Sequence, residues 1–191
     1  MGNIQMSNLN SVEIIQITNT KNLHTINLPK TQAIERVNII NTIGLHNFSS
    51  NAKTVRHATF LHNTDLKGIE LLQLKFSVVS LRHNIALKSL KLQSLESGGV
   101  MIKNCKNLNK VSVPKFKRGH LTLIGNPQLS AIITKRNKSR TTLMVSNCSK
   151  LNGTEIDVQL NEARNHCKSS NSSSLFHLIT CAMIKNLVNS Q

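Results

Sequence analysis

The sequence predicts a mainly β protein: a right-handed parallel solenoid of about seven turns, each 21 or 22 residues long, closed by a C-terminal helical cap. Three observations point there. Seven positions, Asn19, Asn41, His62, His83, Asn104, Gly125 and Asn147, recur at spacings of 22, 21, 21, 21, 21 and 22, and a fixed period of 20 to 30 residues is the mark of stacked structural repeats. Paired apolar residues sit four and two positions before each of these anchors. A leucine lies four positions after every one of them: Leu23, Leu45, Leu66, Leu87, Leu108, Leu129 and Leu151.

The first strand of each turn follows from the paired residues Ile15/Ile17, Val37/Ile39, Ala58/Phe60, Val79/Leu81, Val100/Ile102, Leu121/Leu123 and Leu143/Val145. Alternation at period two puts both members of a pair on one side of a strand. A second strand follows the leucine. Seven residues after the anchor come Ile26, Phe48, Ile69, Leu90, Val111 and Ile132, then Thr154; two further on, Leu28, Leu71, Leu92, Val113 and Ile156 continue the alternation, with Ser50 and Thr134 as exceptions. One turn cannot bury its own apolar face, so stacking of turns is what builds the core.

Between the strands stands a column of small residues with hydrogen-bonding capacity: Thr20, Thr42, Asn63, Asn84, Cys105, Asn126 and Cys148. A bend frees backbone groups from the strand ladder, and buried backbone groups must find partners. The column is therefore expected to be a corner ladder, each side chain bonding the bend or the neighbouring turn. The repeat occupies residues 1–157. Residues 158–191 form a polar, Ser-rich loop followed by Leu175, Leu178, Ile179 and Met183 at near-helical spacing, the expected cap.

Composition bounds the function. The chain of 191 residues has 24 Lys and Arg against 8 Asp and Glu, a formal charge of +16, and such a field attracts polyanions. Trp and Tyr are absent and five Phe are present. This removes the aromatic platforms on which single-stranded nucleic acid stacks and makes nucleic acid an unfavoured partner. No apolar run is long enough to span a bilayer. The N-terminus MGNIQMSNLN lacks both a basic start and an apolar stretch, so it does not read as a signal peptide; this chain is either intracellular or a fragment.

Two basic runs, Lys115, Lys117, Arg118 and His120, then Lys135, Arg136, Lys138 and Arg140, fall 10 to 16 residues after successive anchors. As equivalent loops of adjacent turns they are expected to merge into one site for a polyanion or other partner. The eight acids read as dispersed: Glu70 and Glu155 share a column four turns apart, Asp65 and Glu70 share a turn, and no pair is expected in adjacent turns. Glycoside chemistry needs two carboxyl groups held within ~5 to 9 Å. The eight histidines also look scattered, His24 and His46 stacking with Lys67 and Lys88, and His62 with His83, so no metal and no cofactor is expected. Cys105 and Cys148 share a column two turns apart, ~9.5 Å at the strand spacing and beyond disulfide reach. Cys167 and Cys181, after the last turn, leave two readings open: a disulfide, or two free thiols. Sequons occur at Asn47, Asn137, Asn147, Asn152 and Asn171. A number close to this is expected by chance in a chain so rich in Asn, Ser and Thr, and Asn147 is expected at a packed corner.

The repeat V-x-I-x-x-[NCT]-x-x-L-x-x-I-x-L resembles a leucine-rich repeat with one residue added before the leucine. Segments Leu121–Ile132 (LTLIGNPQLSAI) and Leu108–Val113 (LNKVSV) resemble the receptor L domain, the ligand-binding solenoid of insulin and epidermal growth factor receptors. Segments Asn104–Pro114 (NCKNLNKVSVP) and Asn19–Pro29 (NTKNLHTINLP) also resemble BspA-like surface repeats. The resemblance covers about residues 9 to 157 and lacks the Trp and regular disulfides of receptor L domains. It implies a non-enzymatic module binding a protein or glycan ligand, a sulfated glycan among them, outside the cell or on its surface. Two alternatives stand beside it: an intracellular, cytoplasmic leucine-rich-repeat scaffold, and a carbohydrate-active β-helix enzyme.

Overall fold

Among the described residues, fourteen strands alternate between two parallel sheets. The computed structural model describes residues 2–134 and 141–151, so the C-terminal cap, the boundary at 157/158, Cys167, Cys181 and the second basic run (Lys135, Arg136, Lys138, Arg140) lie outside the described residues. The odd sheet holds β1 (Gly2–Gln5), β3 (Leu23–Leu28), β5 (Asn47–Ser50), β7 (Gly68–Leu71), β9 (Ser89–Lys91), β11 (Lys110–Val113) and β13 (Ala131–Thr134). The even sheet holds β2 (Ser11–Thr18), β4 (Ala33–Ile40), β6 (Thr54–Leu61), β8 (Phe76–Arg82), β10 (Ser97–Lys103), β12 (Arg118–Ile124) and β14 (Thr141–Ser146). Within each sheet every strand pairs in parallel with the strand one turn on, which is the expected β-solenoid of about seven turns.

Register and burial agree with the column reading. Val79 pairs with Val100 and Leu81 with Ile102, and Val100 pairs with Leu121. Leu45, Leu66, Leu87, Leu108 and Leu129 are wholly buried, and Leu23 and Leu151, the two ends of that column, are 9% and 8% exposed. Phe48 and Phe60 meet edge to face, ring centroids 5.2 Å apart, joining the two sheets across the core.

The structure adds a third inward column. Thr31, Ala52, Leu74, Leu95 and Phe116 plug the corner where the odd sheet returns to the even one. Around each plug the backbone is satisfied along the stack: Lys53 N–H donates to Gln32 C=O (2.9 Å), Lys75 to Lys53 (3.0 Å), Glu96 to Lys75 (2.9 Å) and Lys117 to Glu96 (2.8 Å). In the first two turns polar groups still help here, the Thr31 hydroxyl donating to Leu9 C=O (3.0 Å) and the Ser50 hydroxyl accepting from Ala52 N–H (3.2 Å); from Leu74 on, the plugs are apolar.

The even sheet changes shape midway. Between β6 and β8 the register shifts by one residue, Thr54 pairing with Phe76 and His57 with Val78. From there on the strand entry is tighter. Gly98 and Gly119 take φ of 132° and 122°, and a Cβ on either would stand 1.8 or 1.7 Å from the carbonyl oxygen one turn back. Only glycine fits that approach.

Candidate functional site

The corner between the even and odd sheets carries most of the ordered polar chemistry. Asn19, Asn41, His62, His83, Asn104 and Asn147 all have φ between 53° and 55°, and Gly125 has 66°. A left-handed residue reverses the chain sharply, and Asn, His and Gly are the residue types that tolerate it. The sequence used this column as an alignment mark; its composition already carried the backbone signal. The Asn and His anchors are exposed and Gly125 half-buried, so Asn147 stands on an open ridge, and the expectation of a packed position for it is corrected.

The next residue points inward and forms the ladder. Asn63 Oδ1 accepts from Thr42 N–H (3.1 Å) and from its hydroxyl (2.8 Å), while Asn63 Nδ2 donates to Ile39 C=O (3.0 Å) and Asn84 Oδ1 (3.0 Å). Asn84 accepts from Asn63 N–H (3.2 Å) and donates to Phe60 C=O (2.9 Å). Asn126 repeats the motif on Cys105 N–H (3.0 Å) and Ile102 C=O (3.1 Å). Each rung caps one free donor and one free acceptor of the turn before it. Thr42, Asn63, Asn84, Cys105 and Asn126 are fully buried. The ladder ends at Thr20, whose hydroxyl is buried without a partner.

Cys105 takes a rung by placing its sulfur beside the backbone and side chain of Asn84; burial raises its thiol from 9.0 to about 11 against the opposing effect of those two contacts. Burial likewise raises the Cys148 thiol. Both cysteines are free, as their separation in the column predicts. They are structural rungs, and their raised pKa makes them poor nucleophiles.

Outside the ladder, the left-handed ridge floors an open groove. Asn19, Asn41, His62, His83 and Asn104 lie along it, with Thr64, Ile85 and Lys106 on one wall. The His62 and His83 rings stack 4.7 Å apart and 3° from parallel. Asn41 Nδ2 donates to Asn19 Oδ1 at 2.7 Å. His24 and His46 meet edge to face in a different column, centroids 5.5 Å apart. Among the described residues, no group of three His, Cys, Asp or Glu could hold a metal.

The first basic run is placed as follows. Lys115 and Lys117 are exposed on either side of buried Phe116, while Arg118 and His120 point outward from β12. Lys117 Nζ is 3.1 Å from Glu96 Oε2, so one of these cations is already paired with an acid 21 residues earlier, a partner that the sequence reading overlooked.

One expectation is corrected outright. Glu13 and Glu35 do stack in adjacent turns: they lie between the register pairs Val12/Ile34 and Ile14/Arg36 of β2 and β4. Both line a trough on the outer face of the even sheet with Arg56, whose Nε is 3.1 Å from Glu35 Oε1. Each glutamate stands six residues before its anchor, so the pairing was legible. Glu70 and Lys91, also one turn apart, are 3.9 Å from each other.

Among the described residues, no helix is long and apolar enough to cross a membrane. Searches among family models, curated proteins and solved structures find no match to the chain.

Proposed function

We propose that the chain is a non-enzymatic recognition solenoid, of the kind the receptor L domain resemblance implies, that binds an anionic glycan outside the cell or on its surface. The observation that carries this reading is the distribution of charge. Residues 76–134 hold nine Lys and Arg against a single acid, Glu96, whereas residues 2–75 hold seven against four. Eight of the nine cations in the later turns are exposed. Lys91 and Lys117 are paired with Glu70 and Glu96, so the excess of positive charge rests on the other cations of these turns. Coulomb attraction to sulfate or carboxylate groups is screened by salt.

Heparin-column elution tests this. Changing Lys115, Lys117, Arg118, Lys135, Arg136, Lys138 and Arg140 to Ser is expected to release the protein at distinctly lower salt than changing Lys21, Lys53, Lys67, Lys88, Lys150, Lys168 and Lys185 to Ser. Equal losses mean diffuse charge and remove the basic loops as a site.

A second reading, a carbohydrate-active enzyme, is favoured by the Glu13–Glu35 pair one strand spacing apart, ~4.8 Å at the backbone. It predicts release of new reducing ends from a polysaccharide panel, abolished by Glu13→Gln or Glu35→Gln. No release by the parent chain across the panel rules the reading out for those substrates.

A further inference from the structure

We propose that the groove along the left-handed corner is a binding site for an extended sulfated oligosaccharide, laid parallel to the solenoid axis with its sulfates over turns four and five. This rests on the polyanion reading above and assigns it to a surface distinct from the basic loops. The floor presents one polar side chain per turn, Asn41, His62, His83 and Asn104, at the strand repeat of ~4.8 Å. The ring nitrogens of His62 and His83 make no hydrogen bond to other described residues, and the two rings stack on each other. They are donors and acceptors held in parallel and facing solvent. The stiffness of the floor comes from beneath. Each anchor N–H donates to the carbonyl one turn on (His62 to Arg82, 3.0 Å; His83 to Lys103, 3.0 Å; Asn104 to Ile124, 2.9 Å), and the buried rungs Asn63 and Asn84 lock the next residue. A preorganised floor lowers the ordering cost of binding.

The rims give the groove a direction. The position before the anchor is Ile40 and Leu61 in turns two and three, then Arg82 and Lys103 in turns four and five, register partners on β8 and β10. Lys106 lines the groove itself, and Arg82 and Lys103 each stand one residue before a floor residue, His83 and Asn104. The Arg82 guanidinium lies 3.4 Å from Met101 Sδ on the sheet side of the ridge. The acid nearest this wall, Asp65, is already engaged, its Oδ2 accepting from Gly44 N–H at 2.8 Å and from the Thr64 hydroxyl at 3.2 Å. An anionic ligand therefore meets Lys106 in the groove, with Arg82 and Lys103 beside that end, and no free carboxylate along the floor, while its less charged end runs over Ile40. A single-stranded RNA would share the charge but would want aromatic stacking at every base, which two imidazoles do not supply.

The test uses the full chain and a size-defined heparin oligosaccharide, with its desulfated counterpart as control. Binding is read by affinity and by NMR of the histidine imidazoles. The expected result is that the sulfated probe shifts the His62 and His83 resonances and the desulfated one does not. An Arg82→Ser, Lys103→Ser, Lys106→Ser variant should lose roughly tenfold in affinity, the sum of three exposed charge contacts. A Lys115→Ser, Lys117→Ser, Arg118→Ser variant should leave the imidazole shifts in place. His62→Gly with His83→Gly, a residue that Gly125 shows the ridge accepts, should weaken binding without loss of fold, checked by circular dichroism. Loss in the 115–118 variant alone overturns the groove and keeps the polyanion reading. Equal losses in the two cation variants overturn the groove as a site. No binding of heparin by the parent chain overturns both. A single-stranded RNA that shifts the same resonances at lower concentration than heparin overturns the glycan assignment.

Discussion

Each turn of this solenoid has two buried corners, and they are built by opposite means. At the ladder corner a left-handed residue reverses the chain within one position, too sharply for the backbone to satisfy itself, and Asn63, Asn84 and Asn126 supply the missing donor and acceptor. At the plug corner the chain takes several residues to come round. Its amides bond directly to the turn before, and the interior is filled by Leu74, Leu95 and Phe116. Sharpness decides the chemistry: a tight bend demands a polar side chain in the core, and a gradual one permits an apolar one. The same sharpness throws the anchor side chain outward, so the corner with the polar interior is also the one with a polar, exposed ridge.

Substitutions can break or sharpen this contrast. The largest effect is expected from Asn84→Leu, which strands the Asn63 N–H and side-chain amide and the Phe60 carbonyl; each buried orphan costs about 1–3 kcal/mol, so a loss of roughly 3–5 kcal/mol is expected in urea unfolding. A loss below about 1 kcal/mol would show that the rungs are dispensable. Leu95→Ala at the other corner should cost about 2–4 kcal/mol through lost burial and a residual cavity. Its signature differs: a larger aliphatic residue should restore it, whereas no apolar residue should restore position 84.

The cysteine rung gives a pH-dependent test. In the folded chain Cys105 holds its proton up to about pH 11, against 9.0 for the free thiol. Between those values the unfolded chain binds fewer protons than the folded one, so stability should fall as pH rises through that window. Cys105→Ser should flatten that part of the profile, the other titrating groups being common to both proteins. Unchanged slopes would mean that the thiol titrates alike in both states. The smallest effect is expected for Cys105→Asn, which restores an oxygen acceptor for Asn84 N–H and should stabilise by about 1 kcal/mol in the same unfolding assay; destabilisation would show the slot is shaped for sulfur.

What the sequence disclosed and what it hid divide along the same lines. The strand columns and the Leu23–Leu151 column were legible because burial on one face of a strand writes an alternating apolar pattern directly. The ladder was legible because small polar residues at one fixed offset have few other uses. The plug was hidden: Thr31, Ala52, Leu74, Leu95 and Phe116 span four residue types, and Ala52 stands eleven residues after its anchor where the others stand twelve. The left-handed ridge was written plainly as Asn, His and Gly, yet served only for alignment. Glu13–Glu35 and Glu96–Lys117 were available to anyone testing charges one period apart. The basic loops were legible as charge, but the neutralising contact from Glu96 depends on which way the corner carries Lys117.

The near-constant spacing of paired strands has a kinetic meaning. Every strand pairs with the one 21 or 22 residues away, so closing any turn costs nearly the same chain entropy, which varies only with the logarithm of loop length. No turn is privileged as a starting point, and structure can spread from any nucleated pair in both directions. The ladder makes that spread depend on each rung in succession. A chain with one defective rung should therefore stall there, leaving an intermediate with a whole number of turns formed on one side and none on the other.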